Sequence, residues 1–463
     1  MLIEQIYTGC LAQGAYYIES EGQAAVIDPL REPSPYLEKA EKNKARIKYI
    51  FETHFHADFV SGHLDLAKKT GAEIVFGPLA ETSYDSYSAE DGEVFEIGNV
   101  KIKALHTPGH TPESTTYLLI DENGKNHAIF SGDTLFIGDV GRPDLAVKSN
   151  LSKEDLAGML YDSLHNKILP LEDEVLVYPA HGAGSACGKK MSKETFDYLG
   201  TQKKSNYALL APDKNEFIKQ VIEGIMPPPP YFPANVKMNK EGYDSFDDVM
   251  KKGRLPLSPE NFEELVNSVS ALMLDTRNQQ VFNKAFIPNS VNISLDGQFA
   301  PWVGTLIPDI NQAIVIIAEE DKIEETLTRL ARVGYENVLG YLDGGIEQWK
   351  KSNREIDTIK SVSTEDLKNM LNSGDKLNIL DVRRPSEFDI SHLPDAVNYP
   401  LDFINDWFAE LNKDTDYVLH CSGGYRSMTT ASILRSRGFD KIVDVDGGFN
   451  AIAEAGIKLI TNN

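Results

Sequence analysis

Cysteine is scarce in this sequence of 463 residues. The chain has three cysteines, Cys10, Cys187 and Cys421, and they lie far apart. Three isolated cysteines do not make a disulfide framework, so we expect a reducing compartment, of which the cytoplasm is the simplest. Positive charge is limited too, because 46 lysine and arginine residues face 70 aspartate and glutamate residues, giving a formal net charge of -24. Such an acidic chain disfavours nucleic acid and anionic membranes as partners.

Long apolar runs are also missing. No run reaches the length of a membrane span. The first residues, MLIEQIYTGCLAQG, lack the basic region that opens a signal peptide. The sequence therefore predicts neither a membrane span nor a secretory signal.

Proline is concentrated in one place, the run of four prolines in MPPPPYFP that begins at Met226. Successive prolines cannot continue a helix or a central strand, so this run predicts an extended connector. The chain is too long for one ordinary domain. We therefore expect a first domain over 1–226, a proline-rich connector over 227–257, and further domains beyond it.

Two segments after the connector repeat each other, which predicts two domains of one fold over 258–357 and 361–463. Each copy alternates strand-like and helix-like stretches, and this order is typical of a parallel α/β sheet. The matching motifs are Asp275-Thr276-Arg277 with Asp381-Val382-Arg383, and Asp343-Gly344-Gly345 with Asp446-Gly447-Gly448.

Histidine and aspartate follow four separate apolar runs in the first domain. Loops held by a rigid sheet are where functional side chains collect, so four such loops together indicate a metal site. The residues are His54, His56 and Asp58 in THFHADF, His110 in TPGHT, Asp133 in SGD and His181 in PAHG.

These motifs, together with Asp28-Pro29, resemble the metallo-β-lactamase superfamily over roughly residues 1 to 225. The resemblance implies a four-layer αββα sandwich with metal at the strand ends. Members with two zinc ions carry a histidine directly after the aspartate, where this sequence has Phe59. The superfamily pattern then offers His54, His110 and Asp133 as ligands of a single ion. It leaves His56, Asp58 and His181 to orient ligands or waters.

Two histidines and one carboxylate leave coordination positions open, as in non-haem iron(II) oxygenases, whereas zinc more often closes its set or activates a water. We therefore expect one Fe(II) per chain. The stretches TPGHTPES and GDVGRPDL resemble persulfide dioxygenases, which use iron(II) and O2 to oxidise the outer sulfur of a small thiol persulfide to sulfite. That resemblance implies that Arg142 pairs with a carboxylate of the thiol carrier. A structural ion pair is the alternative for Arg142.

The last domain places Cys421 between a predicted strand and a predicted helix. Backbone N–H groups and the helix dipole favour an anion there, and hence a thiolate, while the glycines let the loop curl. The loop resembles that of the rhodanese family, in which six residues run from cysteine to arginine. This implies a Cys421 persulfide, with sulfite or thiosulfate as partner, and Arg426 closing the ring or binding the anionic group. We expect catalytic roles for Cys421 and Arg426 and substrate binding by the loop residues between them, which are Ser422, Gly423, Gly424 and Tyr425.

The middle copy has Ala318 at the position that corresponds to Cys421, followed by three carboxylates in Glu319-Glu320-Asp321. We therefore predict that the middle copy is a rhodanese-like domain without a catalytic cysteine and that it serves as a spacer or an interface. The leading interpretation is an α/β multi-domain enzyme in which a persulfide dioxygenase is fused to a sulfurtransferase.

Two alternatives stay open: a glyoxalase II-like zinc thioester hydrolase fused to a sulfurtransferase, and a non-catalytic sulfur carrier. The identity of the thiol, the oligomeric state (including a homo-oligomer) and the roles of Cys10 and Cys187 stay open as well.

Overall fold

The computed structural model describes residues 1–147, 151–373 and 377–461. Residues 462 and 463, the end of the predicted last domain, lie outside these ranges. The chain folds into two units, of which the first is Met1–Phe246 with Ala331–Gly334 and the second is Asp247–Leu330 with Tyr335–Asn463.

The described part of the first unit contains two six-stranded sheets. Apolar residues alternate along strands such as VKIKALH because successive side chains point to opposite faces. The strand order is β1-β2-β3-β4-β5-β6 in one sheet and β12-β11-β10-β9-β8-β7 in the other. The strands are β1 Leu2–Thr8, β2 Gln13–Ser20, β3 Gln23–Ile27, β4 Arg46–Phe51, β5 Glu73–Phe76, β6 Tyr87–Ser88, β7 Val94–Ile97, β8 Val100–His106, β9 Thr115–Ile120, β10 Asn126–Gly132, β11 Leu176–Pro179 and β12 Asp197–Tyr198.

The two sheets pack face to face around an apolar core that includes Phe51 and Tyr117. The other face of the first sheet packs against α1 and α2, and that of the second sheet packs against α3 and α5. The predicted αββα sandwich is therefore confirmed. The helices are α1 Ser34–Asn43, α2 His63–Thr70, α3 Lys153–Ser163, α4 Leu199–Ser205, α5 Lys214–Ile222 and α6 Phe232–Glu241.

The second unit contains two five-stranded parallel sheets of the same strand order, β13-β17-β16-β14-β15 and β18-β23-β22-β19-β21. The predicted repeat of one parallel α/β fold is therefore confirmed. The strands are β13 Pro256–Leu257, β14 Leu272–Asp275, β15 Val291–Asn292, β16 Ile314–Ile317, β17 Val338–Leu342, β18 Lys360–Val362, β19 Asn378–Asp381, β20 Ser391–His392, β21 Val397–Asn398, β22 Tyr417–His420, β23 Ile442–Val445 and β24 Ile460–Thr461.

Helices alternate with these strands. Among the described residues of the whole chain, none of the helices combines the length and the hydrophobicity that a membrane span requires. The helices are α7 Phe246–Gly253, α8 Pro259–Val269, α9 Gln279–Phe282, α10 Phe299–Leu306, α11 Ile323–Arg332, α12 Gly345–Lys351, α13 Thr364–Asn372, α14 Pro385–Ile390, α15 Ile404–Trp407, α16 Tyr425–Ser436 and α17 Gly448–Glu454.

The repeat extends to side-chain contacts. In the middle copy the Arg277 Nε lies 2.9 Å from the Asp275 Oδ1, and in the last copy the Arg383 Nε lies 2.9 Å from the Asp381 Oδ1. Both pairs are buried. The motif Asp-x-Arg is therefore a structural ion pair in each copy.

The predicted connector is only partly extended. Four prolines are followed by α6, in which Pro233 occupies the first turn, where a missing N–H interrupts no helical hydrogen bond. Residues up to Phe246 belong to the first unit. The stretch that the prolines predicted as a connector thus contributes a packed helix to the first unit.

Candidate metal centre and cysteine loop

Three of the predicted metal ligands meet at the strand ends of the first unit. His54 follows β4, His110 follows β8 and Asp133 follows β10. The Asp133 Oδ2 lies 3.8 Å from the His54 Nε2 and 3.4 Å from the His110 Nε2. All three side chains are buried, so the site lies inside the fold rather than on its surface.

The chemistry of this cluster fits a divalent cation. The Asp133 Oδ2 is buried without a hydrogen-bond partner among the described residues, and two imidazole nitrogens converge on it. Burial, reinforced by the neighbouring imidazoles of His56 and His110, lowers the pKa of His54 well below its usual value, so that ring stays neutral. Burial alone would raise the pKa of Asp133, but the surrounding histidines lower it, so the carboxylate stays ionised. Neutral imidazole and ionised carboxylate are the forms that bind metal.

Hydrogen bonds turn each histidine so that its Nε2 faces the cluster. The Thr53 hydroxyl donates to the Asp28 Oδ2 at 2.8 Å, so its oxygen accepts from the His54 Nδ1 at 3.0 Å. The His110 Nδ1 lies 2.9 Å from the Arg142 carbonyl oxygen, which can only accept. Both Nδ1 atoms therefore carry the proton, and both Nε2 lone pairs are left for a metal.

His181 links two carboxylates beside the cluster. Its Nδ1 lies 2.8 Å from the Asp133 Oδ1, and its Nε2 lies 2.8 Å from the Asp58 Oδ2. Burial alone would lower the pKa of His181, but the two carboxylates raise it well above its usual value. His181 and Asp58 are thus in a position to orient Asp133.

His56 faces a different partner. Its Nε2 lies 3.1 Å from the Asp28 Oδ1, and its ring centroid lies 4.4 Å from that of Phe59. The Phe59 ring is fully buried. The residue that takes the place of the second-site histidine therefore packs against the ring of His56.

Cys187 lies beside the same cluster, within 4.8 Å of ligand atoms of Asp58 and His181. Burial and the nearby carboxylates of Asp58 and Asp133 raise the pKa of the Cys187 thiol well above its usual value, which keeps it protonated. Cys10 is only half-buried, with its sulfur 3.4 Å from the Thr8 hydroxyl. The sequence assigned neither cysteine a role.

The Arg142 guanidinium is engaged within the protein. It donates to both oxygens of Asp144 at 2.7 Å, to the Ala186 carbonyl at 3.2 Å and to the Met226 carbonyl at 2.6 Å. The side chain is 6% exposed. These contacts favour the structural ion pair over the predicted contact with a substrate carboxylate. Through its carbonyl, Arg142 also fixes the orientation of His110.

Asn239 of α6 supports the metal loop, and sequence reasoning missed it. Its Nδ2 donates to the His56 and Phe59 carbonyls at 2.8 Å each, and its Oδ1 accepts from the Ser61 N–H at 2.9 Å. The contacts join residues about 180 positions apart along the chain. No local pattern around Asn239 marks such a partner.

In the second unit, β22 ends at His420 and Cys421 follows at once. The loop then turns through Gly424, which has a φ of 94°, into α16. The Gly424 N–H donates to the Cys421 sulfur at 3.1 Å. A converging backbone N–H stabilises negative charge on the sulfur, as the sequence predicted for a helix N-terminus.

The Arg426 guanidinium is paired with a carboxylate of the same domain. Its two terminal nitrogens donate to Glu387 at 2.6 and 2.8 Å, and the Ser422 hydroxyl also donates to Glu387 at 2.7 Å. Burial alone would raise the pKa of Glu387, but these partners lower it to about 2. Of the two roles predicted for Arg426, this geometry favours closing the ring.

A cleft of about 460 Å³ opens at Cys421 and is lined by both copies of the repeat. The last copy contributes Ser422, Gly423 and Tyr425, and the middle copy contributes Gln298 and Trp302. The Tyr425 hydroxyl donates to the Ser294 carbonyl at 2.8 Å. The copy without a cysteine thus forms part of the wall around the cysteine of the other.

Comparison with protein families gives two matches. Residues 8–181 match the metallo-beta-lactamase superfamily, and residues 258–352 and 363–455 each match the rhodanese-like domain. A crystal structure of a metallo-beta-lactamase from Staphylococcus aureus superposes with a TM-score of 0.65 and 30% identity, covering 74% of this chain and 98% of that one.

Curated relatives of the first domain carry two different activities. A probable hydroxyacylglutathione hydrolase from Schizosaccharomyces pombe is 34% identical over 166 residues, which are 35% of this chain and 60% of the relative. A mitochondrial persulfide dioxygenase from Homo sapiens is 33% identical over 161 residues, which are 34% of this chain and 59% of the relative. The chain thus spans about three fifths of the length of these relatives.

Proposed function

The chain belongs to the metallo-β-lactamase superfamily and joins a domain of that family to two rhodanese-like domains, and we propose that it has two activities. It oxidises a persulfide, and it transfers sulfur. In this proposal the first unit is an iron(II) dioxygenase that converts a small thiol persulfide to sulfite and thiol. The second unit is a sulfurtransferase that carries sulfane sulfur on Cys421.

The observation that carries the dioxygenase proposal is the convergence of His54, His110 and Asp133, with Phe59 in place of a second-site histidine. Two imidazoles and one carboxylate would hold a single ion with positions left open. Iron(II) bound in this way supplies coordination sites for both O2 and a sulfur ligand. The persulfide dioxygenases among the relatives of the first domain support this choice.

The overall reaction balances without a further reductant. A persulfide, one O2 and one water give a thiol and sulfurous acid, because the outer sulfur loses four electrons and O2 gains them. Residues around the site orient its three side chains. Thr53 and the Arg142 carbonyl fix the tautomers of His54 and His110, and His181 bonds to Asp133. Burial of the cluster keeps bulk water away from the reacting sulfur.

At Cys421 the thiolate would attack the outer sulfur of a donor, forming Cys421–S–SH and releasing the donor's thiolate or sulfite. Sulfite would then attack the outer sulfur of this persulfide, giving thiosulfate and the Cys421 thiol. The Gly424 N–H stabilises the sulfur while it is anionic. Sulfite from the first unit is the acceptor that the second unit would use.

Two variants test this division of labour in the full chain. Cys421→Ser is expected to keep persulfide-dependent O2 uptake and to lose sulfur transfer. His110→Ala is expected to lose O2 uptake and to keep sulfur transfer. Loss of O2 uptake in folded Cys421→Ser protein would contradict the two-site proposal.

A thioester hydrolase is the second candidate, and two observations favour it. Hydroxyacylglutathione hydrolases are among the relatives of the first domain, and Asp58, His181 and Cys187 form a further cluster of ligand-type atoms. Metal analysis of protein purified without oxygen separates the candidates. About one iron per chain supports the dioxygenase, and two zinc ions with hydrolysis of an acylated thiol support the hydrolase.

A further inference from the structure

A cavity of about 720 Å³ lies between the two copies of the repeat, with most of its wall in the middle copy and the rest in Ile433, Ser436 and Arg437 of the last copy. Its walls are mainly apolar and include Leu272 at the start of β14, Leu306 at the end of α10 and Trp349 of α12. Ala318 and Cys421 follow strand ends, whereas this cavity lies where β14 begins. The cavity is therefore separate from the cleft at Cys421.

One cation lines this cavity, and it has no carboxylate partner among the described residues. Arg437, at the end of α16, donates to the Asn405 Oδ1 at 2.5 Å and stacks on Phe408 with 4.0 Å to the ring centroid. Its Nη1 is buried and has no hydrogen-bond partner in the described parts of the chain. A buried charged donor without an acceptor is unfavourable, so an anion that reached it would gain a charge-assisted hydrogen bond.

The acidic groups at the cavity do not neutralise Arg437. Glu263 is paired with Arg354, whose Nε lies 3.1 Å from the Glu263 Oε2. Glu355 is exposed, and the main chain of this residue accepts from the Trp349 Nε1 at 2.9 Å. The interior of the cavity therefore combines an apolar body with one positively charged end.

We propose that this cavity binds a small amphipathic organic anion, with the acidic group on Arg437 and the apolar part against Leu272, Leu306 and Trp349. The ligand class follows from charge complementarity, because the apolar part of the wall offers contact to a hydrocarbon group and the one cation that lines the cavity, among the described residues, is the Arg437 guanidinium. A carboxylate and a phosphate monoester are both anionic groups that could accept a hydrogen bond from the Arg437 guanidinium. The copy that lacks a nucleophile then shares a binding site with the last copy, and this role does not depend on either proposed reaction.

The site also adjoins the helix that follows the catalytic loop. Ile433 and Ser436 of α16 line the cavity, and α16 begins at Tyr425, directly beside Gly424. A helix of twelve residues spans about 18 Å. Binding is thus expected at the opposite end of α16 from Cys421.

The test uses the whole 463-residue chain and four probes that share one alkyl chain: octanoate, octyl phosphate, octanol and octylamine. Calorimetry is expected to show octanoate or octyl phosphate binding at least about tenfold more tightly than octanol and octylamine. Comparing the two anions shows which acidic group is preferred. Arg437→Gln should reduce anion binding to the level of octanol, whereas Arg254→Gln, which removes an exposed arginine paired with Glu324, should leave it unchanged.

A second variant keeps the proposal testable if Arg437→Gln does not fold. Val266→Phe adds bulk on α8 at the cavity wall and should weaken all four probes alike without changing the charge. Equal binding of the anions and octylamine, or anion binding that survives Arg437→Gln, would overturn the proposal. Absence of measurable binding by any probe would overturn it as well.

Discussion

At the scale of single residues, the candidate metal cluster of His54, His110 and Asp133 depends on groups outside those three side chains. Thr53 and the Arg142 carbonyl select the tautomers of His54 and His110, and His181 holds one oxygen of Asp133. The motif residues could be predicted from the sequence because they follow apolar strands at recognisable spacings. Asn239 could not, because its partners are remote along the chain.

Phe59 is the main reason to expect a single ion, because it occupies the position of a second-site histidine. We expect zinc-loaded wild-type protein to hold about one ion per chain and Phe59→His to hold about two, because a second imidazole would join Asp58 and His181. Metal analysis after desalting measures the ratio. Phe59→Leu is the control and should stay near one. A wild-type chain that already holds two tightly bound ions would contradict the single-ion proposal.

Asn239→Ala tests the support of the metal loop. The substitution leaves two carbonyls and one N–H of the loop without their partner, and loss of such orienting groups lowers metal affinity by roughly 10- to 100-fold. Competition with a chelator measures the change. Lys237→Ala, at an exposed position of the same helix, is the control and should bind metal like the wild type. An unchanged affinity in Asn239→Ala would show that α6 packs against the loop without supporting it.

At the scale of elements, the strands and helices that carry motifs could be predicted because hydrophobic period and loop chemistry agree there. The strand-like run before Cys421 and the helical pattern after it predicted a loop that leads into a helix, and Cys421 lies between β22 and α16. The extended connector was predicted only from its prolines. The apolar residues that follow them, such as Tyr231 and Phe232, pack into the first unit, and this tertiary burial decides that α6 forms there.

A buried carboxyl in β23 predicts pH-dependent stability. The Asp444 carboxyl is buried, and burial, with the nearby charge of Asp446, raises its pKa from 3.8 to about 7, although the hydroxyls of Ser427 and Ser361 offset part of the rise. The folded protein therefore binds this proton more tightly than the unfolded chain. The stability from Asp444 is fully present below pH 3.8 and is lost as the pH rises through 7.

Asp444→Asn removes this titration and keeps the shape of the side chain. Each pH unit between the two pKa values is worth about 1.4 kcal/mol, so the gain in the free energy of unfolding at pH 8 is at most about 4 kcal/mol. At pH 4 the variant and the wild type should be close. Urea unfolding at both pH values measures the difference, with the exposed Asp416→Asn as control. An equal effect at the two pH values would contradict the raised pKa.

At the scale of the whole molecule, one chain carries an N-terminal metal-site fold and two copies of a second fold of which one keeps the cysteine. The order of these domains could be predicted because each has its own motifs and the repeat shares the ion pair Asp-x-Arg. The end of the first unit could not be predicted from the sequence, because it depends on which residues pack against that unit. Residues 231–246 cover Arg31, which is fully buried, ion-paired with Asp65 and stacked 4.1 Å from the Tyr243 ring centroid.

This packing predicts where the chain can be cut. A fragment of residues 1–246 keeps the first unit except for Ala331–Gly334 and should fold and bind metal. Residues 1–226 should bind metal at least about tenfold more weakly, because they lack Asn239 and the Tyr231 hydroxyl that donates to the Asp58 carbonyl at 3.1 Å. The shorter fragment also uncovers the guanidinium of Arg31, so it should unfold at lower temperature. Circular dichroism and chelator competition on both fragments measure these differences. Equal metal affinity would mean that the unit ends at the prolines after all.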